Sequence, residues 1–170
     1  PLGSAEDPPL AVLDIDVDST LIDRDLDNAG STADNSVLIT ITARDNGGVT
    51  SIDAASGVCF LTIYGPGGRT LLDNLDISEN FVQIDENTGR WHYEFNPPDD
   101  TALGPHDIRV EVHDELDNLA VLRENSLFTV DDLALQLDLP AVLGIGKPLS
   151  LSGTAYRAWG GTIPSLDNVW

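Results

Sequence analysis

Six aspartates lie within the fourteen residues 14–27, DIDVDSTLIDRDLD, near the start of the chain. In each of two short runs, aspartate alternates with another residue. Calcium takes six to eight oxygen ligands, and closely spaced carboxylates and backbone carbonyls can supply them. The segment is therefore either a metal site or the solvent-facing side of a strand. The two runs are Asp14, Asp16 and Asp18, and then Asp23, Asp25 and Asp27.

The second run fits part of a twelve-residue calcium loop that starts at residue 23. Positions 1, 3, 5 and 12 of that loop are aspartates. Position 6, usually glycine, is Asn28, which tolerates a left-handed backbone, and position 8, usually apolar, is Gly30. No flanking helices are evident, so the match is partial. The candidate calcium ligands are Asp23, Asp25, Asp27 and Asp34.

The first run has a simpler interpretation as one face of a β-strand. Asp14, Asp16 and Asp18 would point to solvent, and charges on an edge strand prevent unwanted pairing. Like charges on one face repel each other, and only Arg24 is close enough in sequence to relieve them. A bound cation is the other source of relief. The opposite, inner face would hold Leu13, Ile15 and Val17.

A third acidic set coincides with predicted turns. Asp and Asn are common turn residues because their side chains bond to nearby backbone, and we favour this interpretation. The alternative is that a domain junction near residue 131 gathers metal ligands from two domains. The candidate ligands of this set are Asp114, Asp117, Asn118 and Asp131.

The overall charge limits the classes of partner. The formal net charge is −21, from 29 acidic and 8 basic residues. Nucleic acids and anionic membrane surfaces require an excess of Lys and Arg, so neither is an expected partner. No run of eighteen apolar residues exists, so we expect no membrane insertion. Calcium is the one cofactor that the sequence suggests.

The sequence gives little support for catalysis, and we expect no enzymatic activity. The single cysteine, Cys59, lies in the apolar run VCFLTIY and is expected to be buried. His106 and His113 each precede an aspartate, but adjacent strand residues face opposite ways. No nucleophile elbow, zinc spacing or phosphate loop is present. For sugar binding, the candidate stacking residues are Tyr156 and Trp159, if they are exposed beside Asp or Asn.

Alternating apolar and polar residues predict an all-β fold. About seven strands separated by turn signals span residues 10–132, which favours a two-sheet antiparallel sandwich. VCFLTIYG is apolar on both faces, as a central strand would be, and ENTG predicts a hairpin turn. The predicted inward residues include Val37, Ile39, Ile41 and Ala43 of one strand and Ile108, Val110 and Val112 of another.

Two segments resemble parts of a bacterial or archaeal immunoglobulin-like repeat from large cell-surface or secreted proteins. RWHYEFNPPDDTALGPHDIRVEVHDELDN resembles its second half, with Asp117 where glycine is usual. SVLITITARDNGGVTS resembles its early strand and turn, and no antibody-type cysteine pair is present. The resemblance covers about 100 residues. It implies an all-β, immunoglobulin-like antiparallel β-sandwich of about seven strands.

The expected domain organisation has three parts. Residues 1–9 are a tag remnant and leader, because Pro1 to Ser4 match what a protease leaves after tag removal. Residues 10–132 form the sandwich. Residues 133–170 resemble the first strands of a second, truncated repeat. Two lone strands are unstable, so they should pack on the first domain, pair with a neighbouring molecule or be poorly ordered.

These features lead to a functional hypothesis. The chain would be a non-catalytic structural and interaction repeat of an extracellular or cell-surface protein. It would act as an adhesin-like or surface-layer-like spacer, stiffened by calcium. The partners would be neighbouring repeats of the same chain, a cell-surface protein or a glycan. The alternatives are a carbohydrate-binding accessory module of a secreted enzyme and an assembly domain that pairs through residues 133–170.

Overall fold

The computed structural model describes residues 10–24, 36–98, 100–138, 152–157, 159 and 161–162. Over these residues the chain forms strands joined by turns and three short 3-10 segments. None of the described residues belongs to a helix long and apolar enough to cross a membrane. The strands are β1 (Leu10–Val17), β2 (Leu21–Asp23), β3 (Val37–Asp45), β4 (Cys59–Tyr64), β5 (Thr70–Asp76), β6 (Phe81–Gln83), β7 (Thr88–Phe95), β8 (Gly104–His113), β9 (Leu119–Asp131), β10 (Leu133–Asp138), β11 (Ser152–Arg157) and β12 (Gly161–Thr162).

The first nine strands form two sheets. One sheet has four strands in the order β1-β3-β7-β6, and the other has five in the order β2-β9-β8-β4-β5. Neighbouring strands are antiparallel except β2 and β9, which are parallel. This is the strand order of an immunoglobulin-like β-sandwich, with its first strand divided between the two sheets. The all-β sandwich is therefore confirmed, with nine strands among the residues that the structure describes instead of about seven.

A third sheet follows the sandwich along the chain. It has three strands in the order β10-β11-β12, and both neighbouring pairs are antiparallel. Only Asp132 lies between the last strand of the sandwich, β9, and the first strand of this sheet, β10.

The core lies between the two large sheets and follows the alternation of the sequence. The inward residues predicted on β3 and β8 are all fully buried, which confirms those two strands. Trp91 on β7 is also fully buried and packs against the ring of Phe81, with centroids 5.3 Å apart. Burial of Trp91 removes it as a surface platform for a ligand.

The prediction for β1 was wrong at one residue. Leu13 is 54% exposed, although it was expected to share the inner face with Ile15 and Val17. The pairing of β1 with β3 shifts between Val12 and Asp14, so Leu13 is the extra residue of a β-bulge. The bulge turns Val12 inward instead, where it packs against the core. Alternation alone cannot reveal such an insertion.

We predict that neighbouring residues of β3 differ sharply in their contribution to stability. Ile39 is fully buried, and Leu38 beside it is 39% exposed. Ile39→Ala should lower the free energy of unfolding by about 2–5 kcal/mol, through lost burial and a cavity. Leu38→Ala should change it by only about 0.5 kcal/mol. Urea unfolding measures both, and similar losses would contradict the described direction of these side chains.

Candidate functional site

The loops of the sandwich gather at two opposite ends. At the turn end, the β3–β4 loop contacts its neighbours through hydrogen bonds from the Glu115 N–H to the Ser51 carbonyl (3.0 Å) and from the Val49 N–H to the Glu86 carbonyl (2.9 Å). At the junction end, β9 finishes at Asp131 and the chain continues into β10. β1 starts at the turn end, where Leu10 pairs with Asp45. The chain therefore enters the sandwich at one end and leaves it at the other.

The first aspartate run lies on β1 and just beyond it, at the edge of the four-stranded sheet. Asp14, Asp16 and Asp18 are exposed. Asp16 accepts a hydrogen bond from the Val17 N–H (2.9 Å), and Asp18 accepts one from the Leu38 N–H (2.9 Å). The exposed edge position agrees with the simple strand interpretation. Two of these carboxylates already bond to backbone N–H groups.

The second run begins in the other sheet. Asp23 ends β2, which pairs with β9, so the chain has crossed between the sheets after Asp18. Asp25, Asp27 and Asp34 lie outside the described residues, so the calcium-loop prediction stays a prediction. Within the part of the chain that the structure describes, no three His, Cys, Asp or Glu side chains form a group that could hold a metal ion.

The turn-end aspartates stabilise their own turns. Asp114 is 7% exposed, and its carboxylate accepts bonds from the N–H groups of Leu116 and Asn118, both 2.9 Å, and from the Asn118 side-chain amide at 2.8 Å. Burial raises the pKa of Asp114, but these hydrogen bonds outweigh it and the net pKa is lowered. Asp117 has a left-handed φ of 61°, as expected where glycine is usual. Asp114 thus closes the turn, as the simpler interpretation predicted.

At the junction end, Arg24 bonds to the consecutive residues Asp131 and Asp132 and to the connection between β7 and β8. Its N–H donates to the Asp131 carbonyl (3.2 Å), and its Nη1 donates to the Thr101 carbonyl (3.0 Å). Its Nε donates to Asp132 Oδ1 (3.0 Å), and its Nη2 contacts the second oxygen of the same carboxylate. The side chains of Arg24 and Asp132 are only 19% and 13% exposed. This is a bidentate, largely desolvated ion pair, the geometry in which guanidinium groups bind carboxylates best.

Asp131 links the sandwich to the third sheet. Its side chain is 1% exposed, and its Oδ1 accepts bonds from the N–H groups of Asp132 (2.8 Å) and Trp159 (2.7 Å). Trp159 lies between β11 and β12. Asp131 therefore binds backbone N–H groups where the sandwich continues into the third sheet, and the predicted domain junction with a metal site stays a prediction.

The Trp159 ring packs against Gly104, a position where a side chain would not fit. A Cβ atom added to Gly104 would lie 2.9 Å from Pro66 Cγ and 3.1 Å from Trp159 Cζ2. Gly104 also has a φ of 128°, which disfavours any side chain. We name Gly104, Pro66 and Asp131 the tryptophan socket. Trp159 remains 55% exposed, whereas Asp131, which accepts its backbone N–H, is closed to solvent. Tyr156 lies on β11, and its side chain is outside the described part of the structure.

His106 lies directly below the socket. It is fully buried, its Nδ1 bonds to the Gly104 carbonyl (2.8 Å), and its ring stacks on Phe128 with centroids 5.1 Å apart. Its Nε2 has no hydrogen-bond partner. Burial lowers the pKa of His106, against smaller opposing effects from the Gly104 carbonyl and Asp107. The neutral imidazole with its proton on Nδ1 fits these contacts.

Asp107 follows the buried His106 along β8, and its carboxylate bonds to residues of β9. The Asp107 carboxylate binds Arg123 (2.7 Å) and the Ser126 N–H (2.9 Å), and the Arg123 hydrogen bond is the main reason why its pKa is lowered. Cys59 is fully buried, and burial raises the pKa of its thiol. A buried thiol of this kind is a poor nucleophile.

No protein-family model matches the chain, and no curated protein matches it.

Sequence reasoning missed most of the junction residues. Arg24 was considered as relief for the first aspartate run, but in the structure it binds Asp132. Two signals were present in the sequence: Arg24 is the single basic residue among six nearby aspartates, and Gly104 precedes a proline where a strand begins. Neither signal identifies its distant partner.

We predict that the turn-end aspartates are structural and insensitive to calcium. Asp114→Ala removes three hydrogen bonds and should lower the free energy of unfolding by about 1–3 kcal/mol. Asp117→Gly relieves a left-handed residue and should be neutral or slightly stabilising. Thermal unfolding in calcium and in EDTA should show the same ranking. A calcium-dependent stabilisation that Asp117→Gly removes would identify a metal site instead.

We also predict that His106 makes stability fall in mild acid. Its folded-state pKa is lowered, so below about pH 6.5 the unfolded chain binds a proton that the folded chain excludes. The free energy of unfolding should therefore decrease as the pH falls from about 7.5 to 5.5. His106→Gln should flatten this slope, whereas His92→Gln should retain it. Urea unfolding at each pH is the measurement, and equal slopes in all three proteins would contradict the prediction.

Proposed function

We propose that this chain is a non-catalytic structural and interaction repeat of an extracellular surface protein, in which the junction end fixes one β unit to the next. The observation that carries the proposal is the pair of contacts around Asp132. The Arg24–Asp132 ion pair and the hydrogen bond from Trp159 to Asp131 lie on either side of a one-residue connection. Short, bonded connections limit the motion of one unit relative to another.

The path of the chain supports a role as a spacer. The described chain enters the sandwich at the turn end and leaves at the junction end, so tension would act along the length of the strands. β2 and β9 are parallel, with Leu21, Ile22 and Asp23 opposite Thr129, Val130 and Asp131. Pulling parallel strands from opposite ends loads their hydrogen bonds together in shear. A strand pair loaded in shear resists extension better than a strand pair whose hydrogen bonds break one after another.

The charge supports a location in an aqueous, exposed setting. A net charge of −21 favours solubility and repels nonspecific anionic partners. An adhesin-like or surface-layer-like protein, with neighbouring repeats as the main contact, fits these properties. This part of the proposal also rests on the resemblance to immunoglobulin-like repeats, because the fold alone hosts many functions.

The hypothesis of calcium stiffening depends on fewer aspartates than the sequence suggested. The described aspartates at the turn end and at the junction bond to backbone N–H groups and to Arg24. The hypothesis therefore depends on the loop from Asp23 to Asp34.

One observation favours carbohydrate binding as a second candidate function. Trp159 is 55% exposed and could stack on a sugar ring. The Asp131 carboxylate, which accepts the Trp159 N–H, is buried and therefore not open to a sugar hydroxyl. Quenching of Trp159 fluorescence by soluble glycans, lost in Trp159→Ala, would favour this function over the spacer.

We predict that breaking the ion pair loosens the third sheet. Spin labels on cysteines introduced at Thr40 and Thr162, in a Cys59→Ala background, report the distance between the sandwich and β12. Arg24→Ala should broaden the distance distribution, because Asp132 and the Thr101 carbonyl lose their partner. Arg69→Ala is the matched control, since Arg69 is an exposed residue of the β4–β5 loop. A narrow distribution that Arg24→Ala leaves unchanged would contradict the proposed function.

The ion pair should also appear as an energetic coupling. In a double-mutant cycle of Arg24→Ala and Asp132→Ala, the two losses in unfolding free energy should be non-additive by about 1–3 kcal/mol. Additive losses would mean that the two side chains contribute independently.

A further inference from the structure

An exposed apolar surface lies on the outer side of β9, near the turn end. Leu116, Leu119 and Val121 are 64%, 53% and 47% exposed. Residues 119, 121 and 123 alternate with the inward Ala120 and Leu122, so they share one face. We name Leu116, Leu119, Val121 and Arg123 the β9 face. Clusters of exposed apolar side chains of this kind mark interaction sites more often than scattered ones do.

The neighbouring strands extend this surface. His113 on β8 is paired with Leu119, and its ring meets Phe60 of β4 edge-on, with centroids 5.8 Å apart. Glu111 is paired with Val121. The surface therefore continues from Leu119 on β9 through the His113 ring on β8 to Phe60 on β4.

The charges of this region largely cancel, unlike those of the chain as a whole. Glu111 forms an ion pair with Arg109, and Asp107 forms one with Arg123. Arg123 also lies 4.7 Å above the centre of the Tyr64 ring. With a net charge of −21, two copies of the chain repel each other over most of their surface. Where acidic side chains are paired with arginines, that repulsion is weaker.

The β9 face also has charges of opposite sign at its two ends. Glu115 and Asp117, both exposed, flank Leu116 at the turn. Six residues further along the chain, Arg123 keeps 47% of its side chain exposed. Within β9, Leu119 and Arg123 are four residues, or about 13 Å, apart. Along the chain the order is therefore acidic, apolar and basic.

We propose that two copies of this chain associate through their β9 faces, in antiparallel orientation about a two-fold axis near Ala120. A two-fold contact joins the same patch on both copies, so the patch must be complementary to itself. An antiparallel arrangement meets this requirement. It brings Asp117 of each copy to Arg123 of the other and places Leu119 against Val121. The inference rests on different residues from the spacer proposal and stands or falls separately from it.

The complex should be weak and strengthened by salt. The apolar patch is small compared with the roughly 800 Å² per partner of a standard stable interface. Between about 0.05 and 0.5 M salt, screening should reduce the repulsion between two highly acidic chains more than it weakens two local ion pairs. Sedimentation velocity over a range of concentrations should therefore show a reversible dimer that increases with salt.

Matched charge insertions test the location of the contact. Val121→Glu should raise the dimer dissociation constant at least tenfold. Val82→Glu adds the same charge at a residue of similar exposure, 46% against 47%, on the other sheet, and should leave the constant within about twofold. Circular dichroism confirms folding of both variants. A monomer at every concentration, a dimer unaffected by Val121→Glu, or equal weakening by both variants would overturn the proposal.

A second pair of variants tests the orientation. Asp117→Asn and Arg123→Gln should each weaken the dimer, and the double variant should be no weaker than the worse single one, because both remove the same ion pair. Asn also tolerates the left-handed backbone at residue 117. Independent, additive effects of the two substitutions would exclude the antiparallel arrangement.

Discussion

Arg24 is the residue on which the junction end depends. Through its backbone and side chain it connects the end of β2 to the last strand of the sandwich, to the β7–β8 connection and to Asp132. The sequence has 29 acidic residues and only 8 basic ones, so few other cations could pair with Asp132 in place of Arg24. Next to this ion pair, the buried Asp131 carboxylate accepts the N–H of Trp159, whose ring packs against Gly104.

Several other described aspartates bond to backbone N–H groups. Asp18 accepts the Leu38 N–H, Asp45 accepts the Gly47 N–H, and Asp76 accepts the Gly57 N–H. Each bond satisfies a backbone donor where a strand or turn leaves it unpaired. Hydrogen bonds to a carboxylate also favour its ionised form and offset the repulsion between like charges. The carboxylates are thus part of the fold, and the surface keeps its net negative charge.

The sequence was informative where local pattern determines structure. Alternation predicted that Ile39 and Val110 point inward, because side chains along a strand have a period of two. The ENTG motif predicted the β6–β7 hairpin, because turns have their own residue preferences. Leu13 was misplaced because a bulge interrupts the period without a distinct residue signal. β2 was missed because it has only three residues and pairs in parallel with a strand more than 100 residues away.

The candidate site was harder to predict than the fold. Asp131 and Trp159 could be named from their residue types, but their hydrogen bond joins positions 28 residues apart. Arg24 and Asp132 are 108 residues apart. Nothing local in a single sequence selects one carboxylate among 29 acidic residues as the partner of a given arginine. Gly104 can be explained only after its neighbours Pro66 and Trp159 are known.

The central claim is that the sandwich and the third sheet are joined by direct bonds at the junction end. Native-state amide hydrogen exchange of Trp159, followed by NMR, tests it most directly, because its N–H donates to the buried Asp131 carboxylate. The account predicts that the Trp159 amide exchanges far more slowly than in an unfolded chain, and that Asp131→Ala removes this protection while β9 stays protected. Exchange of the Trp159 amide at the unfolded-chain rate in the unmodified protein would contradict the account.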